Sequence, residues 1–200
     1  MPIGAVKIYH QNSKPFGHSF SEWSERWWQW LLSIPKSHNP AIDSSGEKAY
    51  TGQSHSNVFF LCQTIEGVKQ QPHRKICIHN GTSLFFPIIN WVSNFYEHGR
   101  LEKELIETAI ERMNTIGNLE FNFNGIKVQG LEKYRILSKF FTVELPKDNV
   151  LDIPAGKSRL ISDGYWVFTE PIITDTAIST FGSCSSGLTK IGVNYYIKVI

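Results

Sequence analysis

Residues 19–35 read SFSEWSERWWQWLLSIP and hold four of the chain's six tryptophans. Ser19 followed by Glu22 is the S-x-x-E capping box, in which side chain and backbone satisfy two helix-end donors reciprocally. Pro35 ends the helix, because its ring removes a donor and restricts the residue before it. Between these signals Phe20, Trp23, Trp27, Trp30, Leu31 and Ile34 recur at steps of three and four and share one face. Trp28 and Leu32 lie well round from that stripe. The apolar arc is therefore about 200°, against roughly 100° for an ordinary surface helix. A helix of this kind needs cover on two sides. One side is expected to lie on a sheet. The second calls for a loop of the same chain, a second sheet, another subunit or a ligand.

Outward from the helix, the chain turns to strand patterns. Val6 to His10 reads as a short first strand. Lys36 to Ser56 is polar, with Pro40, Gly46, Gly52 and many serines, a loop of the length that is often functional or mobile. Asn57 to Ile65 (NVFFLCQTI) reads as a strand buried on both faces. Glu66 to Arg74 reads as a hairpin-like connection, and Lys75–His79 and Ser83–Ile89 as strands around the turn signal Asn80-Gly81. Gly99 to Ile116 is a second, ordinary amphipathic helix, carrying Leu101, Leu105, Ala109, Met113 and Ile116 on one face.

From Leu119 the period changes to two. Leu119, Phe121 and Phe123 alternate with polar residues, and Asn124-Gly125 is a hairpin turn leading to Ile126 and Val128. Phe140–Leu145, Ser158–Phe168, Thr176–Phe181 and Val193–Ile200 complete a β-rich half. The expected fold is mainly β: an antiparallel two-sheet sandwich, jelly-roll or immunoglobulin-like, with two helices packed on one face or edge of the sheets. It forms one domain, with a helix-containing half at 1–117 and a β-rich half at 118–200.

The bulk numbers narrow the function classes. With 200 residues, 41% hydrophobic, the chain is long enough for a real core. A net charge of +2 without a basic run argues against a nucleic-acid partner. No stretch reaches the length of a membrane span, and residues 1–17 lack the pattern of a signal peptide, so a cytoplasmic location is expected. An odd count of three cysteines is not a disulfide framework. Cys62 and Cys77 sit in apolar runs, as buried thiols do.

Four ordered segments carry a resemblance: FSEWSERWWQWLLSIP, GQSHSNVFFL, KICIHNGTSLFFPIIN and ISDGYWVF. From about Phe16 onward the chain resembles a group of bacterial and archaeal hypothetical proteins with EWSxxWWQWxLSIP, GQxxxVWFL, TCxxPAGxxLFFPIIN and DGYWxxL motifs. The resemblance implies no particular activity. It does imply that many relatives are exported and carry a cysteine before the GQ motif, placed to pair with the one matching Cys77. Here that stretch reads GEKAYTGQ, without a cysteine, in keeping with an intracellular protein. The PAG triplet of the group is replaced by His79-Asn80-Gly81.

The chemistry-bearing residues give little sign of catalysis. Cys77 and His79 project from one face of a strand with His73 nearby, but a structural zinc needs a second pair and none is evident, so no metal is assigned. Residues 182–187 (GSCSSG) lack the strand-to-helix setting of a nucleophile elbow. No Walker loop or G-x-G-x-x-G implies a cofactor. Asp163-Gly164-Tyr165-Trp166 reads either as a bulge or as a ligand contact, with Asp163 accepting hydrogen bonds and Trp166 offering a stacking face. Together with Trp28, Gln53 and Asn90 these residues would form a polar patch ringed by aromatics, fit for a carbohydrate or another small polar ligand. The leading expectation is a non-enzymatic binding or interaction protein. The alternatives are a homo-oligomer that uses Trp28 and Leu32 as its interface, and a hydrolase that uses Asp163.

Overall fold

The computed structural model describes residues 7–54, 57–65, 71–185 and 190–200. The tryptophan-rich helix α1 spans Phe20–Ser33, and its capping box is made as its sequence dictates: Ser19 Oγ accepts from Glu22 N, and Glu22 Oε2 accepts from Ser19 N at 2.7 Å. The strands are β1 (Val58–Phe60), β2 (His73–Ile78), β3 (Ser83–Asn94), β4 (Ile116–Phe123), β5 (Ile126–Lys127), β6 (Arg135–Leu137), β7 (Phe141–Leu145), β8 (Gly156–Phe168), β9 (Thr176–Cys184) and β10 (Lys190–Val199). The second helix, α2, spans Glu102–Asn114.

These strands form two five-stranded sheets. The first runs β1-β3-β8-β6, with β7 also paired to β8; the second runs β2-β10-β9-β4-β5. The mainly β fold with two helices is as expected, but the sheets are mixed: β1 pairs parallel with β3, and β2 pairs parallel with β10. Asn80-Gly81 is accordingly not a hairpin turn. It passes the chain from the second sheet to the first. Each sheet draws strands from both halves of the chain.

The layering follows from burial. The first sheet is apolar on both faces. Phe85, Leu160, Trp166 and Phe168 meet α1, while Leu84, Phe86, Ile88 and Val167 meet Phe121, Ile178, Val193 and Ile197 of the second sheet. Such double burial explains the near-continuous apolar run of β3, whose Pro87 is tolerated at a bulge between Pro87 and Ile89. The helices do not share a face. α2 packs on β3 and β8 from the opposite side to α1: Arg112 lies 4.5 Å from the centre of the Trp91 ring, and Trp91 pairs with Asp163 in the ladder.

The long loop after α1 is ordered into three short 3-10 turns, Lys36–His38, Pro40–Ile42 and Glu47–Tyr50. It closes the outer edge of β2, where Lys75 N donates to Ser45 O at 2.9 Å and Cys77 N to the Tyr50 hydroxyl at 2.6 Å. Cys77 is exposed, not buried, because it shares the outward face of β2 with His73 and Lys75. The expected strand at 57–65 stops at Phe60, after which Cys62 and Gln63 turn into a buried polar network. Of the expected first strand, Ile8 makes one bridge to Thr169; Val6 lies outside the described residues, as do 66–70 of the expected hairpin and Ser186-Gly187 of the glycine-flanked turn.

Candidate functional site

The five residues singled out by sequence do not converge. Trp28 is 7% exposed and belongs to one buried cluster with Val143, Leu145, Val150 and Ile153, so β7 and the loop after it supply the helix's second cover. Trp166 is wholly buried, stacked on Phe85 at 5.1 Å and edge-on to Trp27 at 5.2 Å. Gln53 clamps β1 to its loop: Nε2 donates to Ala49 O and Phe60 O, and Oε1 accepts from Phe60 N. Asn90 faces Gly164 across the β3–β8 ladder. Asp163 points to the other side of that sheet, where Arg135 Nη2 holds it at 2.7 Å. None of the five lines a described cavity.

A polar network that sequence reading missed lies inside the second sheet. Arg74 and Tyr195 are register partners on β2 and β10, both pointing inward. Arg74 Nη1 donates to Cys62 O at 2.6 Å and to the Tyr195 hydroxyl at 2.7 Å, and Nε donates to Asp43 O at 2.8 Å. Tyr195 in turn donates to Cys62 O. Burial pushes the Tyr195 hydroxyl and the Cys62 thiol well above their ordinary ranges, so both stay protonated near neutrality. Cys62, 2% exposed, is thus packed as a buried, protonated thiol. The network ties the edge strand to the body of the sheet.

Outside that network, a groove of about 330 Å³ crosses the open face of the second sheet. Its residues alternate with the buried ones, so strand periodicity alone sets them outward. The ladder aligns His73, Asn194, Ser179 and Asn122 in one row across four strands, and Lys75, Tyr196 and Ala177 in the next. The depression forms because Ala177, Ser179 and Gly125 are small while Tyr196, His73 and Asn122 stand up around them. Asn194 Nδ2 lies 3.4 Å from His73 Nε2. Tyr196 is 52% exposed, which leaves its ring available for stacking. The rows supply both donors and acceptors, and no carboxylate is among the lining residues. The signal for this site was present in the alternation Val193, Tyr195, Ile197 against Asn194 and Tyr196, but it required knowing which strands are neighbours.

No family model matches the chain, and no curated protein matches it. Among solved structures, the chain is similar to a cysteine protease inhibitor, EhICP2, from Entamoeba histolytica, at 11% identity and a TM-score of 0.26, over 70% of this chain and 96% of that one. A likeness of that degree carries no argument about fold or function.

Proposed function

We propose that the protein is a non-enzymatic binding module of β-sandwich type that takes a small polar ligand, a sugar or similar polyol, on the open face of its second sheet. The observation that carries this reading is the row His73–Asn194–Ser179–Asn122 beside the exposed Tyr196 ring. Amide, hydroxyl and imidazole groups match ring hydroxyls, and an aromatic face matches the apolar side of a sugar. The buried Arg74–Tyr195–Cys62 network supports the reading, since it holds the groove floor in place before any ligand arrives. The missing carboxylate pair weighs against glycoside hydrolysis in the groove. A reducing compartment such as the cytoplasm fits Cys62 and Cys77, which form no disulfide. Among the described residues no helix is long and apolar enough to cross a membrane.

The test is an NMR titration of the labelled protein with a panel of neutral mono- and oligosaccharides. At least one should shift the Asn194 and Tyr196 signals saturably, and Tyr196→Ala should weaken it about tenfold, the loss of one stacking contact. If no sugar moves these signals, or if Tyr196→Ala and Asn194→Ala bind as well as the parent, the reading fails.

A further inference from the structure

A second cavity, of about 240 Å³, opens at the N-terminal end of α1, away from the groove, and is lined by Phe16, His18, Trp23, Arg26, Ser54 and Asn57. Its chemistry turns on Arg26. The guanidinium lies 5.4 Å from the centre of the Trp23 ring, and its Nη2 is 3.4 Å from His18 Nδ1. Two side chains thus hold it in place. Neither is an acid.

The carboxylates that α1 offers to Arg26 are committed elsewhere. Glu22, four residues earlier and the natural helical partner, turns back to cap the helix, its Oε2 accepting from Ser19 N and Ser19 Oγ. Glu25 accepts from Ser21 Oγ and Lys139 N through Oε1. Among the described residues no carboxylate forms an ion pair with Arg26. A positioned guanidinium facing a cavity without an acidic partner is a half-made charge pair.

The cavity wall adds a second, independent sign. Phe16 has φ 53 and ψ 30, a left-handed backbone that an aromatic residue rarely adopts. This conformation sets its ring at 6.1 Å from Phe168 and 6.4 Å from Trp23, and the residue remains 43% exposed at the rim. Strain that presents an apolar ring to a cavity is the kind found at ligand clamps.

We propose that this niche binds a small organic acid, its carboxylate on Arg26 and its apolar body against the exposed Phe16 ring at the rim, with Ser54 and Asn57 adding polar groups to the lining. One planar guanidinium matches a carboxylate in a two-point fork. A phosphate would call for further cations or a cluster of backbone donors, and the lining supplies one fixed charge. The site is separate from the sheet groove and does not depend on it.

The probe is sodium benzoate, titrated into the labelled full chain, with sodium phosphate and benzyl alcohol compared at matched ionic strength. Benzoate should shift the Trp23 indole and Arg26 side-chain signals saturably, leaving Asn194 and Tyr196 still. Arg26→Gln, its other signals unmoved, should weaken benzoate at least tenfold. Phe16→Ala, which keeps the charge, should weaken it severalfold and stands as the second reading if the first variant folds poorly. The proposal is overturned if phosphate or benzyl alcohol acts as strongly as benzoate, if benzoate moves only the groove signals, or if both variants bind like the parent.

Discussion

Arg135 grips Asp163 through two nitrogens, Nε at 3.0 Å and Nη2 at 2.7 Å, and the same guanidinium reaches Ile110 O and Asn114 Oδ1 on α2. The Asp163 side chain is nearly inaccessible, so this is a buried carboxylate with one cation. The pair fastens α2 to the first sheet and commits Asp163 to structure. Removing one partner of a buried pair strands the other. Arg135→Met should therefore destabilise the protein by about 3 kcal/mol, near the lower end for such pairs because the arginine is partly open to water. Chemical denaturation checks this, and adding Asp163→Asn to the variant should recover part of the loss.

Gly164 gives a second prediction. A Cβ at this position would meet Asn90 Cβ at 2.6 Å, Asn90 Cα at 2.9 Å and Ile89 O at 3.0 Å. Two of those atoms are backbone of a central strand and cannot give way. Gly164→Ala should cost at least about 2 kcal/mol through overpacking. Gly81→Ala, by contrast, meets nothing within 4 Å, and its φ of +83° limits the penalty to about 1 kcal/mol of left-handed strain. Thermal melts of the two variants should rank them in that order; the reverse order would break the close-approach account of the Asp163-Gly164-Tyr165-Trp166 motif.

What the sequence made legible is what local physics decides. The Ser19 cap, the Trp23–Trp27–Trp30 spacing and Pro35 fixed α1. Asn124-Gly125 fixed a hairpin, with φ of 50° and 79° at its two residues. Asn80-Gly81 offered the same local chemistry, yet joins strands in different sheets, because turn propensity is silent about which partner a strand finds. The parallel pairs β1–β3 and β2–β10 link residues far apart in sequence, and no local pattern encodes them. The groove was hidden for the same reason: Asn194, Ser179 and His73 are ordinary outward positions until the ladder aligns them. Aromatic, motif-rich residues drew attention instead, and Trp28 and Trp166 are large because they fill the core.

Asp43 sets an acid limit on the loop that closes the edge of β2. Its carboxylate accepts from Ser45 N, Ser45 Oγ, Gly46 N and Lys48 N. Burial pushes its carboxyl up, but these hydrogen bonds outweigh burial and hold it below the usual carboxylate range. A folded value below the unfolded one, about 3.9, means the stabilisation is complete above that pH and is lost as pH falls through the folded value. Asp43→Asn should thus be less stable than the parent near neutrality, with the gap narrowing below about pH 4. Urea midpoints at neutral and acid pH read this directly; a gap that widens with acid would reverse the assignment.

Trp28 separates core from contact surface. Its ring meets Trp27 edge-on at 4.9 Å, and its indole N–H finds no acceptor among the described residues. The side chain is held by packing alone, between α1, β7 and the loop that carries Val150 and Ile153. Truncating it opens a cavity that rigid strands on one side and a helix on the other cannot collapse. Trp28→Ala should then cost about 3–5 kcal/mol, the range for a buried large aromatic, while Trp28→Phe should cost clearly less. Light scattering across a concentration range supplies the control. A face already closed within the chain should give the parent and Trp28→Phe one common, concentration-independent mass. A Trp28→Ala protein that keeps its stability but changes its mass would instead make this face an interface between copies.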